Sequence, residues 1–427
     1  MAREITLDHI AKIEGHATLK VKIEKNEIKE VNLNVTEGSR YFEKILKGRK
    51  YDEAPYLTTR ICGICSCIHN VGSLKAVENA FGVQVTEQTA LMRERVISGE
   101  RIRSHAAHLY MFVLPEYLGF ESAVDLASEK KETVLKALEL VKLGNNIIET
   151  FAGRSMHPIS TILGGFSHYP ERKQLDDLLD RLKASRKFAE DTAKLFKGIK
   201  VPKFERETQY FCLDDKKTYP TAHGEISCIG KMCVPTMTFA THAKQYFVPY
   251  STAKHVTVEG ESYYVGSLAR INNCRQYLRP RARKMLNGIK FPNYNPYMNN
   301  FCQAVETVHH VENMIDFLEN YEIKEEKLVK VVPKASRGIS AVEAPRGLLF
   351  HDYTFDANGI ITHADIITPT SQNLKNIEDD LKVLLPQILS KGKEEVVRDI
   401  KKLIRAYDPC ISCSTHFLTI EGLDGAF

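Results

Sequence analysis

A chain of 427 residues, 43% hydrophobic and 26% charged, is long enough to bury a large core as one domain or a few packed lobes. Its net charge of +5 is small for that length, and no basic stripe carries interleaved aromatics, so nucleic acid is not an expected partner. No run of about 18 apolar residues occurs, and the start, Met1-Ala-Arg-Glu-Ile-Thr6, holds no apolar signal region, so neither a membrane span nor a signal peptide is expected.

The chain opens on a strand-like start, Met1–Thr6, and a predicted β-hairpin or meander. Leu19, Val21 and Ile23 alternate with Lys20, Lys22 and Glu24, Lys25-Asn26-Glu27 supplies the turn, and Ile28, Val31, Leu33 and Val35 return with one break in alternation. Short helices are expected over 40–48 and 70–81. A long helix follows from Glu87 to Leu114, its apolar face drawn from Leu91, Val96, Ile97, Ile102, His105, Ala106, Leu109 and Phe112. Further helices over Ala123–Phe151 and Glu171–Phe196 suggest a central bundle. Residues 200–300 are rich in Tyr, Pro, Gly and Thr, with β-like pieces at Tyr246–Tyr250 and His255–Val258, and read as a peripheral mixed lobe. A helix over Tyr297–Tyr321, strands Ser340–His351 and Tyr353–Ile367 around an Asp356–Gly359 turn, and helices Gln372–Ser390 and Lys393–Ala406 complete the chain. The expected fold class is α+β, mainly helical, with a central long-helix bundle, an N-terminal β-hairpin lobe and a peripheral mixed lobe. The approximate lobes of one domain are 1–60, 61–200, 201–300 and 301–416, followed by a tail over 417–427.

Four of the ten cysteines form two pairs at opposite ends of the chain, each with a histidine a few residues later: Arg60-Ile-Cys62-Gly-Ile-Cys65-Ser-Cys-Ile-His69 and Asp408-Pro-Cys410-Ile-Ser-Cys413-Ser-Thr-His416. Pairs so distant cannot make a local zinc knuckle and must be brought together by the whole fold. Four thiolates suit zinc, an iron–sulfur cluster, copper(I) or nickel. A structural zinc is disfavoured because this chain has ample core without one, and because a charged residue precedes each pair at the same distance. Cys67, Cys212, Cys228, Cys233, Cys274 and Cys302 are scattered. Cys228 and Cys233 flank Gly230 and could pair, but with no further pair nearby the scattered cysteines read as buried apolar residues.

The neighbouring runs decide between the metals. Lys12-Ile-Glu14-Gly-His16, Gly38-Ser-Arg-Tyr-Phe-Glu43 through Arg49, Ala54-Pro55, Arg60 through Cys65, His157-Pro158 through Gly164-Gly165, Glu343-Ala-Pro-Arg346-Gly347, Thr368-Pro-Thr370 and Asp408 through His416 resemble, in order and from end to end, the large subunit of nickel–iron hydrogenases. Lys12 stands where that family usually has Arg. The resemblance implies reversible heterolytic cleavage of dihydrogen to protons and electrons at a NiFe(CO)(CN)2 centre. Cys62 and Cys410 would be terminal nickel thiolates, and Cys65 and Cys413 would bridge nickel to iron. Cys410 could take the proton first and Glu14 would be the first relay, although on composition alone Glu14 reads as a surface strand end. Arg346, otherwise a surface-turn arginine, would lie over the open site and bond one cyanide, with Thr370 bonding the other. Glu43, His416 and the Ile366 carbonyl would hold Mg2+ (or Fe2+) near the C-terminus. His69 is expected to be oriented by the first cysteine pair, and His105 and His108 to be satisfied core histidines.

Some branches carry an aspartate near the active-site arginine where this chain has Ser104, which resembles the cytosolic multisubunit branch and favours a cytoplasmic location. The resemblance further implies an iron–sulfur small subunit, further electron-transfer subunits, no iron–sulfur cluster in this chain, and a maturation endopeptidase cutting between His416 and Phe417. The alternative within the superfamily is a complex-I-type quinone-reductase subunit, which the four cysteines disfavour; those from other classes are a hydrogen-sensing regulatory subunit and a four-cysteine zinc scaffold.

Overall fold

The structure is a computed structural model that describes residues 2–25, 27–38, 40–229 and 234–415. The expected turn residue Asn26, the thiol of Cys233, the metal-ligand candidate His416 and the 417–427 tail with its cleavage point lie outside the described residues.

The N-terminal strands form an antiparallel sheet of three, β1 (Ala2–Leu7), β2 (Ala17–Glu24) and β3 (Glu27–Val35), in the order β1-β2-β3. The strand-like start is β1, and the three strands make the meander form of the expected hairpin. The break in alternation is a register shift between Lys22 and Ile23, the local irregularity a bulge makes when one strand carries an extra residue. Helix α1 (Ser66–Phe81) starts directly at the first cysteine pair. Helix α2 (Glu87–Ala107) is capped by Thr86, whose Oγ1 accepts from the Thr89 amide at 3.0 Å. It then passes into a π-helical stretch, His108–Val113, ahead of Pro115.

The helix expected over Ala123–Phe151 is two: Ala123–Glu129, then α3 (Lys131–Ala152), with Lys130 leaving helical geometry between them. Its local composition favours helix throughout, so the break follows from packing and not propensity. Helices α2 and α3 pack backbone to backbone. A Cβ at Gly144 would lie 2.5 Å from the Gly99 carbonyl, so only glycine allows this approach. Helix α4 (Arg172–Gly198) packs on α5 (Asn299–Asn320), which also lies against α2, giving a buried helical centre.

Between them, strand Gln209–Asp214 pairs with Tyr263–Val265 in parallel and with Glu225–Cys228 antiparallel. The piece expected at Tyr246–Tyr250 is instead Ala243–Tyr246, paired with His255–Val258. The later hairpin is three strands: β4 (Ser336–Ala344), β5 (Gly347–Phe355) and β6 (Ile361–Ile367). An uninterrupted strand over Ser340–His351 is excluded because Pro345 and Arg346 form the β4–β5 turn, as a proline without a ladder donor requires. Helices α6 (Pro369–Ile388) and α7 (Lys393–Ala406) lead to α8 (Ile411–Ser414), the second cysteine element. The fold is mainly helical α+β. No helix among the described residues is long and apolar enough to cross a membrane.

Candidate metal centre

The two ends of the chain meet as the cysteine spacing requires. The Sγ atoms of Cys62, Cys65, Cys410 and Cys413 all lie within 4.8 Å of one another, and all four residues are buried. Cys62 Sγ is 3.5 Å from Cys410 Sγ, which is 3.0 Å from Cys413 Sγ.

Cys62 is extended and Cys65 caps α1, so the first pair sits on the loop entering a long helix. Glu100 on α2 holds that entry from behind. Its carboxylate accepts from the amides of Cys67 (2.8 Å) and Ile68 (3.3 Å), and burial pushes it up to about 7. The second pair is held by the N-terminal segment. The Glu14 carbonyl accepts from the Ile411 amide (2.9 Å), and Glu14 Oε2 accepts from the Ser412 amide (2.8 Å). Gly15, at φ 86°, makes the approach possible, since a Cβ there would come within 2.6 Å of Ile411. Arg40 ties the pairs together, its guanidinium donating to the carbonyls of both Ile61 and Ser412. Thr370 Oγ1 accepts from the Cys410 amide at 2.9 Å.

Arg346 reaches over the thiols from the β4–β5 turn. Its Nε donates to the Asp408 carbonyl (2.7 Å), Nη2 lies 3.0 Å from Asp408 Oδ1, and Nη1 donates to Cys65 Sγ (3.3 Å). Against the cost of burial, Asp408 and the thiols of Cys65, Cys410 and Cys62 hold its guanidinium above the usual arginine range. Hydrogen bonds from Cys410, Cys413 and Cys65 pull Cys62 well below the ordinary thiol value, while burial pushes Cys410 well above it. Between Cys65, His69, Arg346, Thr370, Cys410 and Cys413 the packing leaves a small cavity of about 10 Å³, room for roughly one water-sized group. Four buried soft donors at this separation, with a guanidinium and a small hollow beside them, fit a soft-metal centre that carries small ligands.

His69 Nδ1 lies 3.3 Å from His351 Nε2, whose ring continues to Tyr353 Oη at 2.6 Å. His108 is satisfied at both nitrogens, by Gln303 Oε1 (2.6 Å) and the Arg405 carbonyl (2.8 Å). His105 meets Glu306 at 2.8 Å, but its Nδ1 has no hydrogen-bond partner, so that ring is only half satisfied. Ser104 is buried with its Oγ likewise without a partner. The symmetry of charged residues ahead of the two pairs does not survive folding: Arg60 is exposed, whereas Asp408 is buried against Arg346. Glu43 and Ile366 are adjacent, the Ile366 amide donating to Glu43 Oε1 at 3.0 Å. Lys254 Nζ lies 3.4 Å from Glu43 Oε2 and 3.8 Å from Asp365, whose carboxyl burial and Glu43 push up.

Sequence reasoning missed Arg40, Glu100 and the ion cluster behind Arg346. Arg270 there bonds Glu306 (Nε to Oε1, 2.6 Å) and Glu343 (Nη1 to Oε2, 2.8 Å), all three at 0% exposure. The signal for Arg40 was its place in the Gly38–Glu43 run. Glu100, Arg270 and Glu306 lie in helices of mixed polarity, and nothing local in them marks these charges as buried or names a partner.

Fold and site together define a large chain whose two ends build one buried four-cysteine site fit for a soft metal. The sequence model of the nickel-dependent hydrogenases matches residues 40–136 and 250–416. The chain is 33% identical to the sulfhydrogenase 1 subunit alpha of Pyrococcus furiosus, over 97% of this chain and 98% of that one. It is 27% identical to the NAD-reducing hydrogenase HoxS subunit beta of Cupriavidus necator, over 98% and 96%. A solved NAD+-reducing [NiFe]-hydrogenase in its H2-reduced state shares the fold, with a TM-score of 0.89 at 24% identity, over 97% of this chain and 99% of that one. The chain belongs to the nickel-dependent hydrogenase family, as its catalytic large subunit.

Proposed function

We propose that the four thiols hold a nickel–iron centre with carbon monoxide and cyanide on the iron, Cys62 and Cys410 binding nickel alone and Cys65 and Cys413 bridging. The observation that carries this is the buried four-sulfur cluster with Arg346 at 3.3 Å from Cys65 Sγ. When bound, such a centre supplies Lewis-acid polarisation of dihydrogen and an acceptor for its electrons. The chain's own residues do the rest. Cys410 Sγ holds the released proton first, and the Glu14 carboxylate, anchored to the same short helix through Ser412, carries it outward. Arg346 and Thr370 line the hollow beside the thiols and would donate to the iron's small ligands, Arg346 to one cyanide and Thr370 to the other. Glu43, the Ile366 carbonyl and His416 hold Mg2+ (or Fe2+). A carboxylate and a carbonyl are the hard oxygen donors such an ion prefers.

Electrons leave through a partner. The iron–sulfur clusters belong to a small subunit and further electron-transfer subunits, a reading supported by the match to hydrogenase subunits alpha and beta. The docking face lies at the first cysteine loop, where the exposed Met156 brings its Sδ close to Gly63. A cytoplasmic enzyme whose tail is removed between His416 and Phe417 during maturation completes the reading.

Metal analysis of the purified enzyme tests it. Nickel and iron near one each per chain, with infrared bands of metal-bound carbon monoxide and cyanide, are expected. Zinc alone, with no such bands, would sink it.

A further inference from the structure

We propose that His108 and Gln303 are positioning residues for the hydrogenase reaction: together they fix Asp408 as the clamp that aims Arg346 at Cys65. The proposal rests on the reading that Arg346 acts over the metal centre.

The hydrogen bonds run in one unbroken series. Arg346 spends two donors on Asp408 and one on Cys65 Sγ. Asp408 gives Oδ1 to Arg346 and takes a hydrogen bond on Oδ2 from Gln303 Nε2 at 3.0 Å. Gln303 Oε1 meets His108 Nδ1 at 2.6 Å, and His108 Nε2 meets the Arg405 carbonyl at 2.8 Å. His108, Gln303, Asp408 and Arg346 are each at most 4% exposed, so solvent cannot substitute for any of these partners.

The direction of the bonds follows from the groups. A backbone carbonyl only accepts, so His108 Nε2 donates to Arg405. A carboxylate also accepts, so Gln303 turns its NH2 to Asp408 and its oxygen to His108. His108 Nδ1 stands 2.6 Å from that oxygen. The Gln303 amide has one orientation here, because flipping it would set its oxygen against the Asp408 carboxylate.

Two further features show that Asp408 needs such a hold. Its backbone sits at φ 52°, a left-handed conformation that a non-glycine residue keeps only when its surroundings impose it. Asp408 is also the one carboxylate that meets Arg346 among the described residues. The histidine itself enters at the first residue of the π-helical stretch, where the helix changes pitch and side chains are re-aimed.

The test uses the intact enzyme with its partner subunits. Gln303→Met keeps the volume but removes both hydrogen bonds. The expected result is unchanged nickel and iron content, shifted or broadened infrared bands of the iron's diatomic ligands, and a kcat for dihydrogen oxidation reduced at least tenfold with KM unchanged. His108→Gln, which can still bond the Arg405 carbonyl, should show the same band changes with a smaller loss of kcat. In an Asp408→Asn background, Gln303→Met should cost little more, because both changes act through one clamp. Wild-type kcat and unshifted bands in Gln303→Met, or fully additive losses in the double variant, would overturn the proposal. So would loss of metal or of the assembled complex in both single variants, which would make the two residues merely structural. If the wild-type enzyme itself held zinc and showed no bands, the functional reading would fall first, independently of these variants.

Discussion

The two flanks of the thiolate cluster are built from the same kinds of residue and behave oppositely. On the Glu14 side a half-buried carboxylate grips α8 through the Ser412 amide, and the chain turns outward at once, to a His16 side chain that is 68% exposed and a Glu37 that is 32% exposed. On the Arg346 side, Asp408 and the Arg270–Glu306–Glu343 cluster lie in the interior with every partner fixed. There Arg270, acting against burial, holds the Glu306 carboxyl well below its ordinary value, while burial pushes Glu343 up. A carboxylate near water can gain and lose protons cheaply, whereas a buried paired charge is costly to change. The open flank is thus suited to moving charge and the closed flank to holding it still.

Substitutions can break this contrast, and the largest effect belongs to the cluster both flanks serve. Cys410→Ser replaces a soft donor by a hard one in a buried four-sulfur set, and the expected outcome is loss of both nickel and dihydrogen uptake; nickel retained at wild-type level would remove Cys410 from the ligand set. On the open flank, Glu14→Gln keeps the side chain's acceptor for the Ser412 amide but cannot carry a proton. The metals should stay, while hydrogen–deuterium exchange falls by about 10² or more, the usual worth of a positioned acid–base group. Exchange at the wild-type rate would show that protons leave by another route. On the closed flank, Glu306→Gln removes a charge that Arg270 meets twice at 2.6–2.8 Å and that Tyr219 and Ser267 also bond. Stability should drop by about 3–5 kcal/mol, read as a lowered denaturation midpoint, because a buried guanidinium loses half its compensation. A loss below about 1 kcal/mol would mean that water reaches the cluster.

The open flank and the thiols were far more legible in the sequence than the closed flank. Paired cysteines and the Ile-Glu-Gly-His run are local patterns, and alternation in β2 is a period-two signal that burial of Leu19 and Val21 repeats. Arg270, Glu306 and Glu343 join residues dozens of positions apart, and nothing local in a helix announces which distant charge will meet it. The same holds for Arg40, whose two backbone acceptors lie on segments that only the fold brings together. Arg60 misled for the complementary reason: equal spacing ahead of two motifs carries no information about which side faces solvent. The strand expected across Ser340–His351 failed differently, because Pro345 was itself the turn signal and the apolar run around it outweighed it.

The smallest predicted effect tests whether the closed flank is dry. His309 packs against Tyr219, whose hydroxyl donates to Glu306, and its Nδ1 accepts from the Arg279 amide at 3.1 Å. Burial lowers its pKa from 6.5 to about 3. Between those values the unfolded chain binds a proton at this ring and the folded chain does not, so folding stability rises with pH across that window and is lost as pH falls. One such group contributes a slope of about 1.4 kcal/mol per pH unit. His309→Gln can keep the acceptor for Arg279 but has no proton to bind, so unfolding free energies measured from pH 4 to 6 should change with pH less steeply, by close to one proton. An unaltered slope would mean that His309 is already charged in the folded protein, and that the interior around Glu306 admits a proton as readily as the surface around Glu14.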